Sequence, residues 1–283
     1  MAPASKGGAS PGHPCWLPSL EDAGAVVDNA PTAPAATITA TLTLVFPCYN
    51  EAERLPRTLG TYLGRLPPQM PHEVEVLVVD DGSTDDTADV AGTVAAGDAR
   101  VRVIRCQRNR GKGFAVRTGV LAAEGELVVF TDADGSYRPD DVERVVAALA
   151  DAPVAIGSRD LHVQASSPTR QVASMLFNRV MRTMLDLPFR DTQCGLKGFR
   201  RQAALEVFGR ARLDGFAFDA EVLYLARHLG LRVAEVGVRA DERDGSKVRV
   251  AVDALTMLGE ALAVRRAAAS GAYDRDPSRH PAP

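Results

Sequence analysis

The chain has 283 residues, of which 46% are hydrophobic and 24% are charged. These are the proportions of a globular protein, so the composition excludes collagen, a coiled coil and a wholly disordered chain. The formal net charge of −3 comes from 33 basic and 36 acidic residues. This balance argues against nucleic-acid binding, which needs a strongly basic surface, so any polyanionic partner would be held by local basic groups.

The four cysteines and five histidines are scattered, without the close spacing of metal ligands or of a disulfide framework. Neither a zinc site nor a disulfide network is therefore expected. The chain has no apolar run of about 18 residues, the length that spans a bilayer. Its first residues lack the apolar segment of a signal peptide. We therefore expect a cytoplasmic protein with reduced thiols.

The chain is expected to fold as one domain at 39–270 between two flexible tails. Residues 1–38 and 271–283 are rich in Pro, Ala, Gly and Ser, a composition that buries too little apolar surface to offset the entropy lost on ordering. Between the tails, apolar runs predict strands at 41–46, 74–79, 101–104, 127–130, 153–156 and 231–236. Helical patterns lie at 51–65, 84–96, 112–123, 139–150, 171–185, 219–229 and 252–268.

Near-continuous apolar strands separated by helices predict an α/β fold with a single, mostly parallel sheet covered on both faces. Polar residues follow three of these strands, at 47–51, 80–85 and 132–134. Asp, Asn and Gly are also common in ordinary turns. Ligands of open α/β sheets, however, bind at the carboxyl ends of the strands, and three such segments at one edge indicate a binding site.

Asp132 and Asp134 alternate at a strand end, where both carboxylates can turn toward the cleft. Hard carboxylate oxygens suit Mg²⁺ or Mn²⁺ bound together with a diphosphate. The segment NRGKG at 109–113 opens a predicted helix. Free amides at the helix N-terminus and Lys112 would suit a phosphate, although glycine also favours a plain strand–helix turn.

Known phosphate and hydrolase motifs are absent. The 109–113 segment lacks the glycine and the Ser or Thr of a Walker A loop, and it does not follow the first strand as a dinucleotide fingerprint does. The sequence also has no G-x-S-x-G motif. These absences exclude a P-loop ATPase and an ordinary dehydrogenase, and they argue against acyl hydrolysis.

The motifs VFPCYNE (45–51), VVDDGSTD (78–85), NRGKG (109–113) and DADG (132–135) resemble glycosyltransferase family 2, whose fold is GT-A. Three later motifs resemble, within that family, the dolichyl-phosphate glucosyltransferases more than their mannosyl relatives. These are RDTQCGLK (190–197), FAFDAEVLY (216–224) and DGSK (244–247). The resemblance spans about residues 41–275, with order and spacing kept.

The resemblance implies a nucleotide-sugar donor, UDP-glucose, and a polyprenyl phosphate acceptor. It places Asp80 against the base, Lys112 near the donor phosphates, and Asp132 and Asp134 on the metal and diphosphate. The other residues it assigns to the nucleotide pocket are Pro47, Tyr49, Glu51, Asp81 and Ser83.

A phosphate acceptor has a second pKa of about 6 and is already largely ionised at neutral pH, so it needs cations rather than a strong base. The candidate cations are Arg159, Lys197, Arg243 and Lys247, with Ser246 beside the last, and Asp191 and Gln193 are expected to shape the acceptor side. A solvated surface charge is the simpler interpretation of each cation. Asp191 could instead only cap its own turn.

Three functions stay open on these residues. The first is inverting transfer of glucose to a polyprenyl phosphate, with part of the 171–185 helix facing the bilayer as a peripheral contact. The second keeps the fold with another donor, GDP-mannose or UDP-GlcNAc, or with a hydroxyl acceptor, for which Asp219 is the candidate base. The third is a module that binds the sugar nucleotide without turnover.

Overall fold

The computed structural model describes residues 25–28, 42–69, 73–159, 168–240 and 250–274. Its strands are Ala25–Asp28 (β1), Leu42–Cys48 (β2), Val74–Asp80 (β3), Val101–Cys106 (β4), Leu127–Phe130 (β5), Val154–Arg159 (β6), Lys197–Arg200 (β7) and Val233–Val238 (β8). Its helices are Leu55–Gln69 (α1), Thr87–Gly97 (α2), Lys112–Ala122 (α3), Pro139–Ala148 (α4), Pro168–Leu185 (α5), Arg201–Phe208 (α6), Phe218–His228 (α7) and Val250–Ala269 (α8).

The described strands form one sheet in the order β1-β4-β3-β2-β5-β7-β6-β8. The central strands β4, β3, β2 and β5 are parallel, and β6 is parallel to β8. Strand β7 runs antiparallel between β5 and β6, and β1 runs antiparallel to β4. The predicted α/β fold with a mostly parallel sheet is confirmed.

Helices cover both faces of the sheet, as the apolar strand sequences require. Alternate residues of β3 point to opposite faces, so Leu77 and Val79 belong to one buried cluster and Val76 and Val78 to the other. The first cluster includes residues of α3, α6, α7 and α8, and the second includes residues of α1, α2 and α4. The four central residues of β3, 76–79, are therefore apolar on both faces of the sheet.

Three elements differ from the sequence predictions. Strand β1 lies within the segment 1–38 that was expected to be a tail, while the rest of that segment lies outside the described residues. Strand β7 and helix α6 were not predicted. Strand β7 has only four residues, KGFR, with a charge at each end, so it carries none of the apolar run by which the other strands were identified.

The positions of the strand ends determine where the site lies. The register pairs Cys48 with Asp80 at the carboxyl ends of β2 and β3. It pairs Phe130, the last residue of β5, with Lys197, the first residue of the antiparallel β7. The carboxyl ends of three parallel strands and the amino end of β7 therefore meet at one edge of the sheet.

Candidate functional site

The turn after β3 is fastened to the turn after β2. The carboxylate of Asp80 accepts hydrogen bonds from the N–H of Ser83 at 3.1 Å and from its hydroxyl at 2.5 Å. The N–H of Asn50, which has a positive φ of 55°, donates to Ser83 Oγ at 2.9 Å, and Asn50 Oδ1 accepts the N–H of Thr84 at 2.8 Å. Asp80 and Ser83, which sequence reasoning assigned to the nucleotide pocket, thus form one connected wall with Asn50 and Thr84.

The remaining predicted pocket residues lie beside this wall. Pro47 is the sixth residue of β2, and the Tyr49 ring beyond the strand is exposed. Glu51 forms an ion pair with Arg54 at 2.6 Å. An exposed aromatic ring at a strand end offers a flat apolar surface on which a base can stack.

Asp81 is buried and ties the 109–113 segment to β3. Its carboxylate accepts the N–H of Gly111 at 2.7 Å and that of Arg110 at 3.1 Å. Burial raises the pKa of Asp81 to about 6, although these two amide donors oppose the rise. Asp81 therefore holds the 109–113 segment in place through hydrogen bonds to its backbone.

Three amides around the N-terminus of α3 are engaged by other parts of the protein. The N–H groups of Arg110 and Gly111 bind Asp81, and the N–H of Phe114 donates to the carbonyl of Asp214 at 3.2 Å. Gly111 has a φ of 117°, and a Cβ there would lie 2.4 Å from the same Asp214 oxygen. These three amides are satisfied within the protein, and the Lys112 side chain of the same turn reaches Asp132 after β5.

Lys112 lies beside the two candidate metal-binding carboxylates. Its ammonium is 2.6 Å from Oδ1 of Asp132, and both side chains are about a quarter exposed, at 21% and 29%. Burial opposes the charge of Lys112, but Asp132 and Asp219 outweigh burial and raise the pKa of Lys112. Asp134 accepts the N–H of Ser136 at 2.9 Å. A cation and two carboxylates thus share the carboxyl end of β5.

These residues fit a divalent cation that is bound together with a substrate. Within the described ranges, no group of three or more His, Cys, Asp and Glu side chains is placed to hold a metal ion by itself. Asp132 and Asp134 supply hard oxygen ligands of the kind that Mg²⁺ prefers, and Mg²⁺ usually completes its shell with substrate phosphates and water. This arrangement suits a site that is completed by a diphosphate.

Arg159 and Asp191 are paired with each other at the end of β6. The Nε and Nη2 atoms of Arg159 donate to the two oxygens of Asp191 at 2.6 and 3.1 Å. Asp191 also accepts the N–H of Gln193 at 3.1 Å, so it caps its own turn as well. Burial opposes ionisation of Asp191, but Arg159 outweighs it and lowers the pKa of Asp191. The contact with Asp191 fixes the orientation of the Arg159 guanidinium, and the Arg159 side chain remains 25% exposed.

Lys197 does not reach an acceptor in this structure, which corrects the role that sequence reasoning gave it. Its side chain is fully buried, and its ammonium donates to Asp219 and, at 2.6 Å, to the carbonyl of Cys194. Asp219 is itself only 5% exposed. The two residues form an internal ion pair, so Lys197 is a structural cation and the Asp219 oxygen nearest to it is already engaged.

Sequence reasoning missed two sets of residues. Tyr137 and Gly195 contact each other behind Asp132. Asp214 binds both Arg110 and Arg117, while buried Glu221 accepts the N–H groups of the loop before α7. Neither set shows a spacing pattern, because the partners lie far apart in sequence. Arg243, Ser246 and Lys247 lie outside the described residues.

None of the helices within the described ranges has the length and hydropathy to cross a membrane. On α5, which includes the 171–185 segment, Leu176 is 61% exposed, and Leu262 on α8 is 45% exposed. Contact of the 171–185 segment with a bilayer stays a prediction.

Comparisons with known proteins follow the same motifs. The family model described as glycosyl transferase family 2 matches residues 43–208. A dolichyl-phosphate beta-glucosyltransferase of Mus musculus is 37% identical over 250 residues, covering 82% of this chain and 77% of that protein. The protein of that name from Drosophila melanogaster is 38% identical over 224 residues, covering 73% and 69%.

Solved structures share the fold at lower identity. Mannosyl-3-phosphoglycerate synthase from Rubrobacter xylanophilus has a TM-score of 0.64 and 20% identity, covering 82% of this chain and 75% of that one. Glucosyl-3-phosphoglycerate synthase from Mycobacterium tuberculosis, in complex with Mn²⁺, UDP-glucose and phosphoglyceric acid, has a TM-score of 0.57 and 21% identity, covering 80% and 79%. The motifs that follow β2, β3 and β5 lie at one edge of the sheet. The chain belongs to glycosyl transferase family 2 and is a glycosyltransferase of the GT-A fold.

Proposed function

We propose that the protein transfers glucose from UDP-glucose to a polyprenyl phosphate, with inversion at the anomeric carbon, to give a β-linked polyprenyl phosphate glucose. The observation that carries this proposal is the grouping of Lys112, Asp132 and Asp134 at the carboxyl end of β5. It combines a phosphate-binding cation with two metal-binding carboxylates beside the wall formed by Asp80 and Ser83. Both features suit the diphosphate of a nucleotide sugar, which needs its negative charge balanced.

The acceptor is supported by the relatives and by the acceptor-side groups. The relatives from mouse and fly are named for dolichyl phosphate and for a β-glucosyl product. In this chain the Arg159 fork is fixed by Asp191 near the same sheet edge, where it can bind one phosphate oxygen. Arg243 and Lys247 are proposed as further acceptor cations on the family motif alone.

In the proposed reaction, an oxygen of the acceptor phosphate attacks the anomeric carbon from the face opposite the diphosphate. The bond from that carbon to the diphosphate oxygen breaks, and UDP leaves with the electron pair. A divalent cation bound with the diphosphate would act as a Lewis acid that stabilises the leaving group. Lys112 binds the donor phosphates, Asp132 and Asp134 hold the cation, and Arg159 orients the acceptor.

No general base is needed, because the acceptor oxygen is already ionised. The pairing of Asp219 with Lys197 agrees with this scheme, since a carboxylate that neutralises a buried ammonium is poorly placed to remove a proton. A hydroxyl acceptor would make Asp219 the required base. The Asp219→Asn variant therefore distinguishes the two acceptors, and measurable residual transfer is expected with a polyprenyl phosphate.

The test is an assay of the full chain with Mg²⁺ or Mn²⁺, labelled UDP-glucose and a polyprenyl phosphate, followed by extraction of the lipid. Label is expected in the lipid fraction, and a chelator should abolish it. GDP-mannose and UDP-GlcNAc serve as competing donors, and phosphoglyceric acid serves as a water-soluble acceptor. Label that appears only in a water-soluble product, or only from another donor, would contradict the proposal.

The non-catalytic alternative has its own readout in the same experiment. If the protein is a binding module, the wild-type protein shows no turnover. Its Asp134→Ala variant would still bind UDP-glucose. The proposed enzyme turns over as wild-type protein and loses turnover in that variant. Donor binding without any product, under every donor and acceptor offered, would favour the binding module.

A further inference from the structure

Gly195 lies directly against the carboxylate of Asp132. A Cβ atom built on Gly195 would lie 2.1 Å from Oδ2 of Asp132 and 2.7 Å from its Cγ. Non-bonded carbon atoms pack best at about 3.5–4.0 Å, so a side chain at position 195 would have to displace the carboxylate. The backbone of Gly195 therefore forms one wall of the position that Asp132 occupies.

Tyr137 fixes the position of Gly195. The N–H of Gly195 donates to the Tyr137 hydroxyl oxygen at 3.0 Å, and the thiol of Cys194 donates to the same oxygen at 3.4 Å. Tyr137 is only 3% exposed, and its own carbonyl accepts the hydroxyl of Tyr62 at 3.0 Å. The hydroxyl that holds Gly195 is thus anchored in the core, five residues after Asp132 in the chain.

The sheet topology brings the two segments together. Strand β7 begins at Lys197, which pairs with Phe130 at the end of β5, so residues 194–196 reach the sheet edge from which Asp132 projects. The buried ammonium of Lys197 then donates to the carbonyl of Cys194 at 2.6 Å. Gly195 is therefore fastened at its own N–H and, through Cys194, on its N-terminal side.

Asp132 is also held from the opposite side. Its Oδ1 lies 2.6 Å from the ammonium of Lys112, while its Oδ2 faces the backbone of Gly195. A carboxylate with one oxygen against a cation and the other against a rigid backbone has little freedom to rotate. Fixed orientation of a ligand by its outer neighbours is a common device of metal sites.

We propose that Gly195 and Tyr137 are positioning residues that set the orientation of the Asp132 carboxylate toward the metal and the donor diphosphate. The inference rests on the proposed function, since it concerns the same site. A role in packing alone makes a different prediction. In that case Gly195→Ala would lower stability and leave the affinity for the metal unchanged.

The experiment measures Mn²⁺ affinity in the presence of UDP by calorimetry and by electron paramagnetic resonance, together with thermal unfolding, for Gly195→Ala and Tyr137→Phe. In Gly195→Ala the displaced atoms are the end of a side chain, so we expect unfolding near the wild-type temperature and Mn²⁺ binding weakened about 10- to 100-fold. Tyr137→Phe keeps the ring and removes only the oxygen that Gly195 binds. A smaller weakening, of about 3- to 10-fold, is expected for it.

Gly237→Ala and Tyr224→Phe are the matched controls. A Cβ on Gly237 in β8 meets nothing within 4 Å, and Tyr224 stacks on His228, the last residue of α7. Both should bind Mn²⁺ and UDP like the wild-type protein. Unchanged Mn²⁺ affinity in a folded Gly195→Ala variant would overturn the proposal. If Gly195→Ala does not fold, unchanged Mn²⁺ affinity in Tyr137→Phe would overturn it.

Failure of the proposed function has a separate signature. Wild-type protein that binds UDP with no dependence on Mn²⁺ would contradict the metal-dependent transferase itself. If UDP binding depends on Mn²⁺ equally in the wild-type protein and in the two variants, only the positioning role of Gly195 and Tyr137 is overturned.

Discussion

The two sides of the candidate cleft use charge in different ways. On the donor side, which comprises the ends of β2, β3 and β5, the predicted groups lie at the sheet edge and Asp132 and Lys112 stay partly exposed. On the acceptor side, which comprises Arg159 and residues 190–197 and 218–219, Lys197 and both carboxylates, Asp191 and Asp219, are buried. Lys197 is buried against Asp219, and Arg159 is bidentate to Asp191. A charged residue in a family motif can therefore build the site without contacting its ligand.

The largest expected effect comes from breaking the acceptor-side ion pair. Lys197→Met leaves the Asp219 carboxylate buried without its partner, and such changes destabilise by about 3–5 kcal/mol. The double variant Lys197→Met, Asp219→Leu should recover most of that stability because it removes both charges. Urea unfolding measures both changes in free energy.

The control for this pair is an exposed one. Arg227 binds Asp186 with 47% and 88% of the two side chains exposed, so Arg227→Met should change stability by less than about 1 kcal/mol. If Lys197→Met were no more destabilising than Arg227→Met, the buried pair would not be the structural element inferred here.

On the donor side, Asp134→Ala should cost activity rather than stability. Removing a group that stabilises charge in the transition state lowers kcat by about 100- to 1,000-fold in other enzymes. Little stability should be lost, because Asp134 is half-buried and forms no ion pair with a cation in the described part of the chain. Initial rates with UDP-glucose measure the effect. Asp140→Ala, at the start of α4, is the control, since Asp140 pairs only with exposed Arg65. A wild-type kcat in Asp134→Ala would remove this carboxylate from the proposed machinery.

Asp81 predicts a pH effect on stability. Its pKa rises from 3.8, the ordinary value, to about 6 in the folded protein. Between these values the folded state retains a proton that the unfolded state has lost, so this group's contribution to stability falls as pH rises through that window and is constant above it. The fall amounts to about 3 kcal/mol at 1.36 kcal/mol for each pKa unit.

Unfolding of wild-type protein and Asp81→Asn across pH 3.8 to 6 measures this contribution as the difference between the two slopes. Asparagine does not titrate, so the variant should lose less stability as pH rises. Because Asp81→Asn also changes hydrogen bonds to the 109–113 segment, the slopes rather than the absolute stabilities are compared. Parallel slopes would contradict the raised pKa.

The smallest expected effect tests whether Arg159 binds the acceptor in addition to pairing with Asp191. Lysine keeps the charge of Arg159 and loses the planar fork. We expect Arg159→Lys to raise KM for the polyprenyl phosphate about 10-fold, roughly the loss of one charge-assisted hydrogen bond. KM for UDP-glucose should stay near the wild-type value. An equal rise in both constants would assign Arg159 a purely structural role.

The positions of the donor-side residues were easier to predict from the sequence than those of the acceptor-side residues, because local sequence patterns mark them. Asp80 and Asp132 each follow an apolar strand, and parallel strands bring their carboxyl ends to one edge. The bonds from the amides of Arg110 and Gly111 were not foreseen, because their acceptor, Asp81, lies about 30 residues away in the chain. Nor was strand β7, whose four residues lack an apolar run.

The amino-acid sequence by itself determined the fold class, the family and the strand ends that carry the acidic residues. Only the tertiary structure decided which charges face the cleft and which pair inside it. Lys197 and Asp219 meet because β7 enters the sheet antiparallel beside β5 and α7 packs behind it, and the same insertion places Gly195 against Asp132. Residue type fixes the chemistry a side chain can perform, while burial and partners determine whether that chemistry is available to a substrate.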